Sequence, residues 1–283
     1  MRRAVRRARS DAPGGASPER LQKVLARSGV ASRREAEAWI RAGRLTINGT
    51  AATLGARVGP ADQVRLDGRL VRMPAGSSTS RAFICHRSPG EPLVAPGTGV
   101  AAADRADTGG PGTGRARAAP PVDRPALLER LPRRAGRRFV TVSPMPRVDG
   151  GLELVTSDGE LEARLQRGVH ALDSEFGVRV RGELSEPQLQ GIAGGALDSG
   201  AHLAVERCEA AGGEGANRWY TLVARGASGK EVRQLFERQG AHVSRVLRTR
   251  LGPLTLERSL ARGRFRELTQ EELLALVPAA AQR

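Results

Sequence analysis

Ser32, Arg33 and Arg34 stand together in the run Ala31-Ser32-Arg33-Arg34-Glu35-Ala36, and their order is chemically unusual. Ser32 and Glu35 have the S-x-x-E spacing of a capping box, which puts both arginines in the first turn of a helix. Backbone N–H groups already present partial positive charge there, so each arginine costs about 0.3 to 1 kcal/mol unless an anion is bound. Phosphate is the anion that suits free N–H groups and guanidinium forks together. Lys23, Arg27 and Arg44 lie nearby in sequence, and with Ser32, Arg33 and Arg34 they form a candidate phosphate-binding face. Solvated charge on a small domain is the competing reading.

Other chemistries fail on spacing. Ser228-Gly229-Lys230-Glu231 lacks the upstream glycine and the following Ser or Thr of a phosphate loop. His86, His170, His202 and His242 show neither metal-ligand pairing nor a nucleophile motif. Cys85 and Cys208 are far apart and outside any C-x-x-C pattern, which fits a reducing cytosol and points to neither a disulfide framework nor a zinc cluster. No metal or organic cofactor is expected.

The elements that must position the basic face emerge from composition and periodicity. The chain has 283 residues, room for two domains, and a formal net charge of +16, which calls for a polyanionic partner. No apolar run approaches the roughly 18 residues that span a bilayer, so nucleic acid is a better partner than membrane and a cytoplasmic location is expected. Aromatics are 3% of residues, too few for recognition built mainly on stacked bases. Residues 1–16 read as a disordered basic arm, with a transit peptide as the other possibility. Residues 91–121 are rich in Gly, Pro and Ala without apolar periodicity and read as a flexible insertion.

Between these, residues 17–75 carry a net +6. Ser17-Pro18 suggests an N-cap followed by proline at the first helical position, with Leu21, Val24 and Leu25 as the apolar face. A second helix begins at the capping box, buries Ala36, Trp39 and Ile40, and stops at Gly43. Leu45-Thr46-Ile47 before Asn48-Gly49, and Val64-Arg65-Leu66 before Asp67-Gly68, predict short strands ending in hairpin turns. Residues 76–270 alternate strands, near 139–142, 151–156, 175–181, 202–207, 219–224 and 243–250, with helices starting near Glu160, Pro187 and Lys230. A C-terminal helix from about Gln270 and a tail occupy 271–283. Strands outnumber helices and several follow one another directly, so the fold class expected is α+β: a small two-helix-plus-β unit, then a larger and largely antiparallel α+β domain.

The stretch from Arg20-Leu21-Gln22-Lys23 through Ser32-Arg33-Arg34-Glu35 to Asn48-Gly49 closely resembles the S-four-type RNA-binding domain, which implies binding of structured RNA through the helix pair. Later motifs resemble the RsuA/RluB type of bacterial ribosomal RNA pseudouridine synthase, in the family's order. They are His86-Arg87-Ser88-Pro89-Gly90, Arg130-Leu131-Pro132, Gly151 to Leu161, Glu175 to Val180 and Lys230 to Phe236. The resemblance implies a pseudouridine-synthase-like larger domain and structured ribosomal RNA as partner; a monomer is expected. Lys230 would join the RNA-binding set. It also implies isomerisation of a uridine to its C-glycoside by one essential Asp, a Tyr stacked on the base and a basic residue near the Asp.

Two alignments of the family's G-R-L-D-x-x-T-x-G-L loop are open. Without gaps the essential carboxylate falls on Pro146, which can neither attack nor move a proton. With three residues inserted and three deleted it falls on Asp149, although Asp-Gly is also an ordinary turn pair. Phe176 occupies the Tyr position and lacks its hydroxyl; Arg233 keeps the basic position. Two functions follow: an active isomerase using Asp149, Phe176 and Arg233, or a catalytically silent protein that binds ribosomal RNA.

Overall fold

The structure, a computed structural model, describes residues 17–71, 81–94, 125–132 and 138–277. The basic arm at 1–16, residues 95–121 of the Gly/Pro insertion and residues 278–283 of the tail lie outside the described residues. Contacts divide the chain into two compact units, residues 1–78 and 79–283.

In the first unit, β1 (Glu19–Arg20) leads directly into α1 (Leu21–Arg27), and α2 spans Arg33–Arg41. The expected start of the first helix at Ser17-Pro18 is corrected. Glu19 and Arg20 pair as a strand with Val58 and Arg57 of β4 (Arg57–Val58), and Leu21 N–H donates to the Ala56 carbonyl. Pairing with a distant strand thus overrides the local proline signal, and Arg20 becomes the N-cap without a side-chain cap. The second helix forms as its sequence directs. Ser32 Oγ accepts from Glu35 N–H at 3.0 Å, and a Glu35 carboxylate oxygen accepts from Ser32 N–H at 3.2 Å.

Strands β2 (Leu45–Ile47), β3 (Thr50–Ala51), β5 (Val64–Leu66) and β6 (Arg69–Leu70) pair in the order β3-β2-β5-β6. Both hairpin turns take the left-handed pair of conformations that their sequences favour, Asn48 at φ 51 with Gly49 at 86, and Asp67 at φ 48 with Gly68 at 79. Leu21, Leu25, Ala36, Ile40, Leu45 and Val64 form the core, with Trp39 packed at its margin.

The second unit is built on a nine-stranded sheet. Its strands are β7 (Ala82–Arg87), β8 (Val140–Val142), β9 (Gly150–Thr156), β10 (Asp173–Arg181), β11 (Ala204–Ala210), β12 (Asn217–Arg225), β13 (His242–Leu251), β14 (Leu254–Thr255) and β15 (Phe265–Glu267). The main order is β11-β12-β10-β13-β9-β7-β15, with β14 on β13 and β8 on β9. Every pairing is antiparallel except the short parallel contact of β13 with β9. The helices are α3 (Gly159–Val169), α4 (Glu186–Ala193), α5 (Gly229–Arg238) and α6 (Gln270–Leu276), with a 3-10 turn at Leu127–Arg130.

Helices α4 and α5 cover one half of the sheet over Val178, Tyr220 and Val246. Apolar residues of α3 and α6 pack with Leu152 and Leu154 in the other half. The strand β7 was not anticipated from periodicity. Ala82-Phe83-Ile84-Cys85 is a continuous apolar run buried on both faces, so it lacks the alternation that marks a half-exposed strand.

Candidate functional site

One edge of β9 is shared. Its other edge pairs with β7 along residues 151–156, leaving β13 to take Gly150 and Gly151 and β8 to take Leu154 to Thr156. Between β13 and β8 the Leu152 carbonyl would lack a strand partner. The Arg248 guanidinium fills the gap: its Nε donates to Leu152 O and its Nη1 to Ser143 O, both at 2.9 Å. Gly151 makes this close approach possible. It sits at φ 94, and a Cβ there would lie 2.3 Å from the Arg248 carbonyl oxygen.

The connection from β8 to β9, residues 143–149, is held from beneath by buried charge. Glu153 is fully buried, and its Oε1 accepts from Arg87 Nε at 2.7 Å and from Met145 N–H at 3.2 Å. Arg87 Nη2 donates onward to the carbonyls of Met145 and Pro146 at 2.7 and 2.8 Å. Arg248 Nη2 stands 3.6 Å from Glu153 Oε2, close enough for charge attraction but beyond a hydrogen bond. Burial pulls the Arg248 guanidinium below its ordinary pKa, against the opposing pull of Glu153.

Asp149 closes this connection. Its backbone N–H donates to Pro146 O at 3.0 Å, making a turn that carries the carboxylate toward α5 and β13. There Oδ1 accepts from Val246 N–H at 2.8 Å and from Arg233 Nη2 at 2.5 Å, while Oδ2 accepts from Arg233 Nε at 3.2 Å. Asp149 is completely buried; the Arg233 side chain keeps 19% exposure. Burial works against the charge on Arg233, yet the hydrogen bond and charge of Asp149 hold its pKa above the ordinary arginine value. Arg233 Nη1 also donates to Val243 O at 2.9 Å. The result is a desolvated carboxylate held by a two-pronged guanidinium at the rim of the sheet.

Phe176, register partner of Arg248, is a core residue. It is fully buried, in the core that includes Met145, Val178, Tyr220 and Leu235, so in the free chain its ring faces are spent on apolar contacts rather than open to a base. The triad Arg87, Glu153 and Arg248 escaped sequence reasoning. Its one signal is Glu153 itself, an acid inside the apolar run Leu152-Glu153-Leu154-Val155 of a strand buried throughout.

The basic face of the first unit is only partly available. Arg33 and Arg34 are exposed and have no carboxylate partner among the described residues. Lys23 and Arg27 both pair with Glu19, at 3.1 and 2.5 Å, and Arg44 grips Asp67 at 2.9 and 2.5 Å while lying over the Trp39 ring. The Ser32 hydroxyl is used in capping. Lys230 is exposed in the first turn of α5, within the second unit. Neither cysteine is poised as a nucleophile: burial raises both thiols, Cys208 to about 11.

Comparison with known proteins decides the lineage. The S4 domain family model matches residues 19–64. Ribosomal large subunit pseudouridine synthase B of Pseudomonas aeruginosa is 39% identical over 257 residues, covering 90% of this chain and 61% of that protein. The proteins of the same name from Salmonella typhi and Escherichia coli K12 are each 34% identical over 252 residues, covering 88% of this chain and 79% of theirs. The chain belongs to the ribosomal large subunit pseudouridine synthase B family. A solved pseudouridylate synthase, 19% identical, shares the fold with a TM-score of 0.53 over 91% of this chain and 99% of that one.

Ser143, at the start of the connection, adopts φ 47, a left-handed conformation that few residues other than glycine take. Of the two loop positions the sequence left open, Pro146 and Asp149, it is Asp149 that brings a carboxylate to Arg233.

Proposed function

We propose that this chain binds structured ribosomal RNA and isomerises a uridine in it, with Asp149 as the essential carboxylate and Arg233 as its basic partner. The observation that carries the reading is the Asp149–Arg233 fork, formed by the only carboxylate in the connection between β8 and β9. The reaction balances without a cofactor: the N1–C1′ bond breaks, a C5–C1′ bond forms, C5 gives up a proton and N1 gains one. A buried carboxylate is suited to covalent attack or proton transfer once Arg233 turns its charge toward the RNA. Phe176, lacking a hydroxyl, would offer only an apolar face to the base. The protein is read as a cytoplasmic monomer.

A catalytically silent rRNA-binding protein is the second reading, favoured by the ungapped alignment, which puts Pro146 at the pattern's carboxylate position, and by the complete burial of Asp149. Mapping pseudouridine in ribosomal RNA from cells with and without this gene separates the two. Loss of one modified position supports the isomerase; an unchanged map supports the silent binder.

RNA binding by the first unit is tested separately. Arg33 and Arg34 oppose the α2 dipole and have no carboxylate partner among the described residues, so phosphate contact is their expected compensation. Replacing both by Ala is expected to weaken rRNA affinity and reduce the slope of log K against log salt by up to about 2. Unchanged affinity and slope would remove α2 as the binding face.

A further inference from the structure

The half of the sheet covered by α4 and α5 has a second face on which no described helix packs. The pairing of β10 with β13 shifts register at Glu175/Phe176 and at Arg179/Val180, and the segment between these two shifts assigns the residues of that face. Val178, Tyr220 and Val246 point into the helix-side core, so their neighbours point the other way. Arg179 is the register partner of Trp219 on one side and of Arg245 on the other. Three adjacent strands thus present the row Trp219, Arg179, Arg245.

Two features of this row call for an external anion. Like charges directly opposite on neighbouring strands destabilise a sheet, yet Arg179 and Arg245 are direct partners. Acids of the same strands are already engaged: Asp173 with Arg225, Glu175 with Arg207 and Arg250, and Glu209 with Arg207. Arg179 and Arg245 have no carboxylate partner among the described residues. Beside them the Trp219 indole is half-buried and lies over Gly177, where a Cβ would stand 3.5 Å from the ring; the absent side chain leaves room for a flat aromatic surface. At the end of these strands Arg181 pairs with His242. Both line a cleft of about 540 Å³ shared with Val243, whose carbonyl accepts from Arg233, and with Glu237, whose carboxylate pairs with Arg233. The row itself lies on the face of the sheet opposite α5, which carries Arg233.

We infer that Trp219, Arg179 and Arg245 form an RNA-contacting surface of the second unit, holding a single-stranded segment of the substrate with a base on the Trp219 indole and phosphates on the two arginines. This deepens the proposed function and rests on its RNA-binding part. Arginine and an aromatic ring on an open sheet face are the combination that holds unpaired nucleotides without demanding a sequence.

The test uses the full chain with two probes, a 20-nucleotide oligouridylate and protein-free large-subunit ribosomal RNA. Replacing Arg179 and Arg245 by Thr together is expected to weaken oligouridylate binding at least about tenfold and to lower the salt slope by about 1.4, near 0.7 per lost phosphate contact. Trp219→Leu should weaken it about fivefold or more, and Trp219→Phe should restore most of the loss. The thermal midpoint of the arginine variant should hold or rise, since a repulsive pair is removed; a fall with RNA affinity unchanged would mark the row as structural and overturn the inference. Unchanged affinity for both probes, while Arg33 and Arg34 replacement weakens ribosomal RNA binding, would refute this surface alone and leave a protein partner as its occupant. No binding of either probe by the wild type would overturn the RNA reading and this inference with it.

Discussion

Asp149→Asn is expected to lower the rate of pseudouridine formation by at least about 10² and up to 10⁴-fold, the range that loss of a positioned acid–base group or nucleophile commonly costs. The amide keeps the size of the side chain and one oxygen that can still accept from Val246 N–H and Arg233 Nη2, so the turn Pro146 to Asp149 should persist. RNA affinity should stay within about twofold of wild type, because Asp149 is buried and the proposed RNA contacts are elsewhere. Single-turnover assays on ribosomal RNA, with binding measured in parallel, distinguish the cases. Full activity in the variant would exclude Asp149 as the essential carboxylate. No activity in the wild type under the same conditions would support the silent binder.

Replacing Glu153 by Leu should destabilise the second unit by about 3 to 5 kcal/mol, the cost of breaking a buried ion pair from one side. Two guanidinium groups, Arg87 at 1% exposure and Arg248 at 0%, would face each other without the carboxylate between them, and Met145 N–H would lose its acceptor. Such a loss is a large part of the 5 to 15 kcal/mol that holds a typical domain folded. Urea unfolding followed by Trp219 emission in a Trp39→Phe background reads the second unit separately. Adding Arg248→Met to Glu153→Leu should recover part of the loss, since one unpaired charge is then removed. A shift under about 1 kcal/mol in the single variant would mean that the backbone carbonyls of Leu152, Ser143, Met145 and Pro146 alone suffice to hold the two arginines.

Local signals in the chain by itself determined most of the helices and both hairpin turns. The Ser32–Glu35 box, the Asn48-Gly49 and Asp67-Gly68 turns and the helix starts near Glu160, Pro187, Lys230 and Gln270 all depend on contacts within a few residues, and all appear in the structure. The α+β class followed from the order of those elements, and the lineage from motifs spread along the chain. Tertiary structure decided what depends on distant partners. Glu19 and Arg20 became a strand because Arg57 and Val58 were there to pair with them, and β7 formed between β9 and β15 although its residues show no alternation. The site is the clearest instance. Asp149 and Arg233 are 84 residues apart, and nothing local distinguishes this Asp-Gly from an ordinary turn. Only the gap on the edge of β9, filled by Arg248 and braced by Glu153 and Arg87, sets the course of the loop so that a carboxylate three residues beyond Pro146 meets the guanidinium on α5.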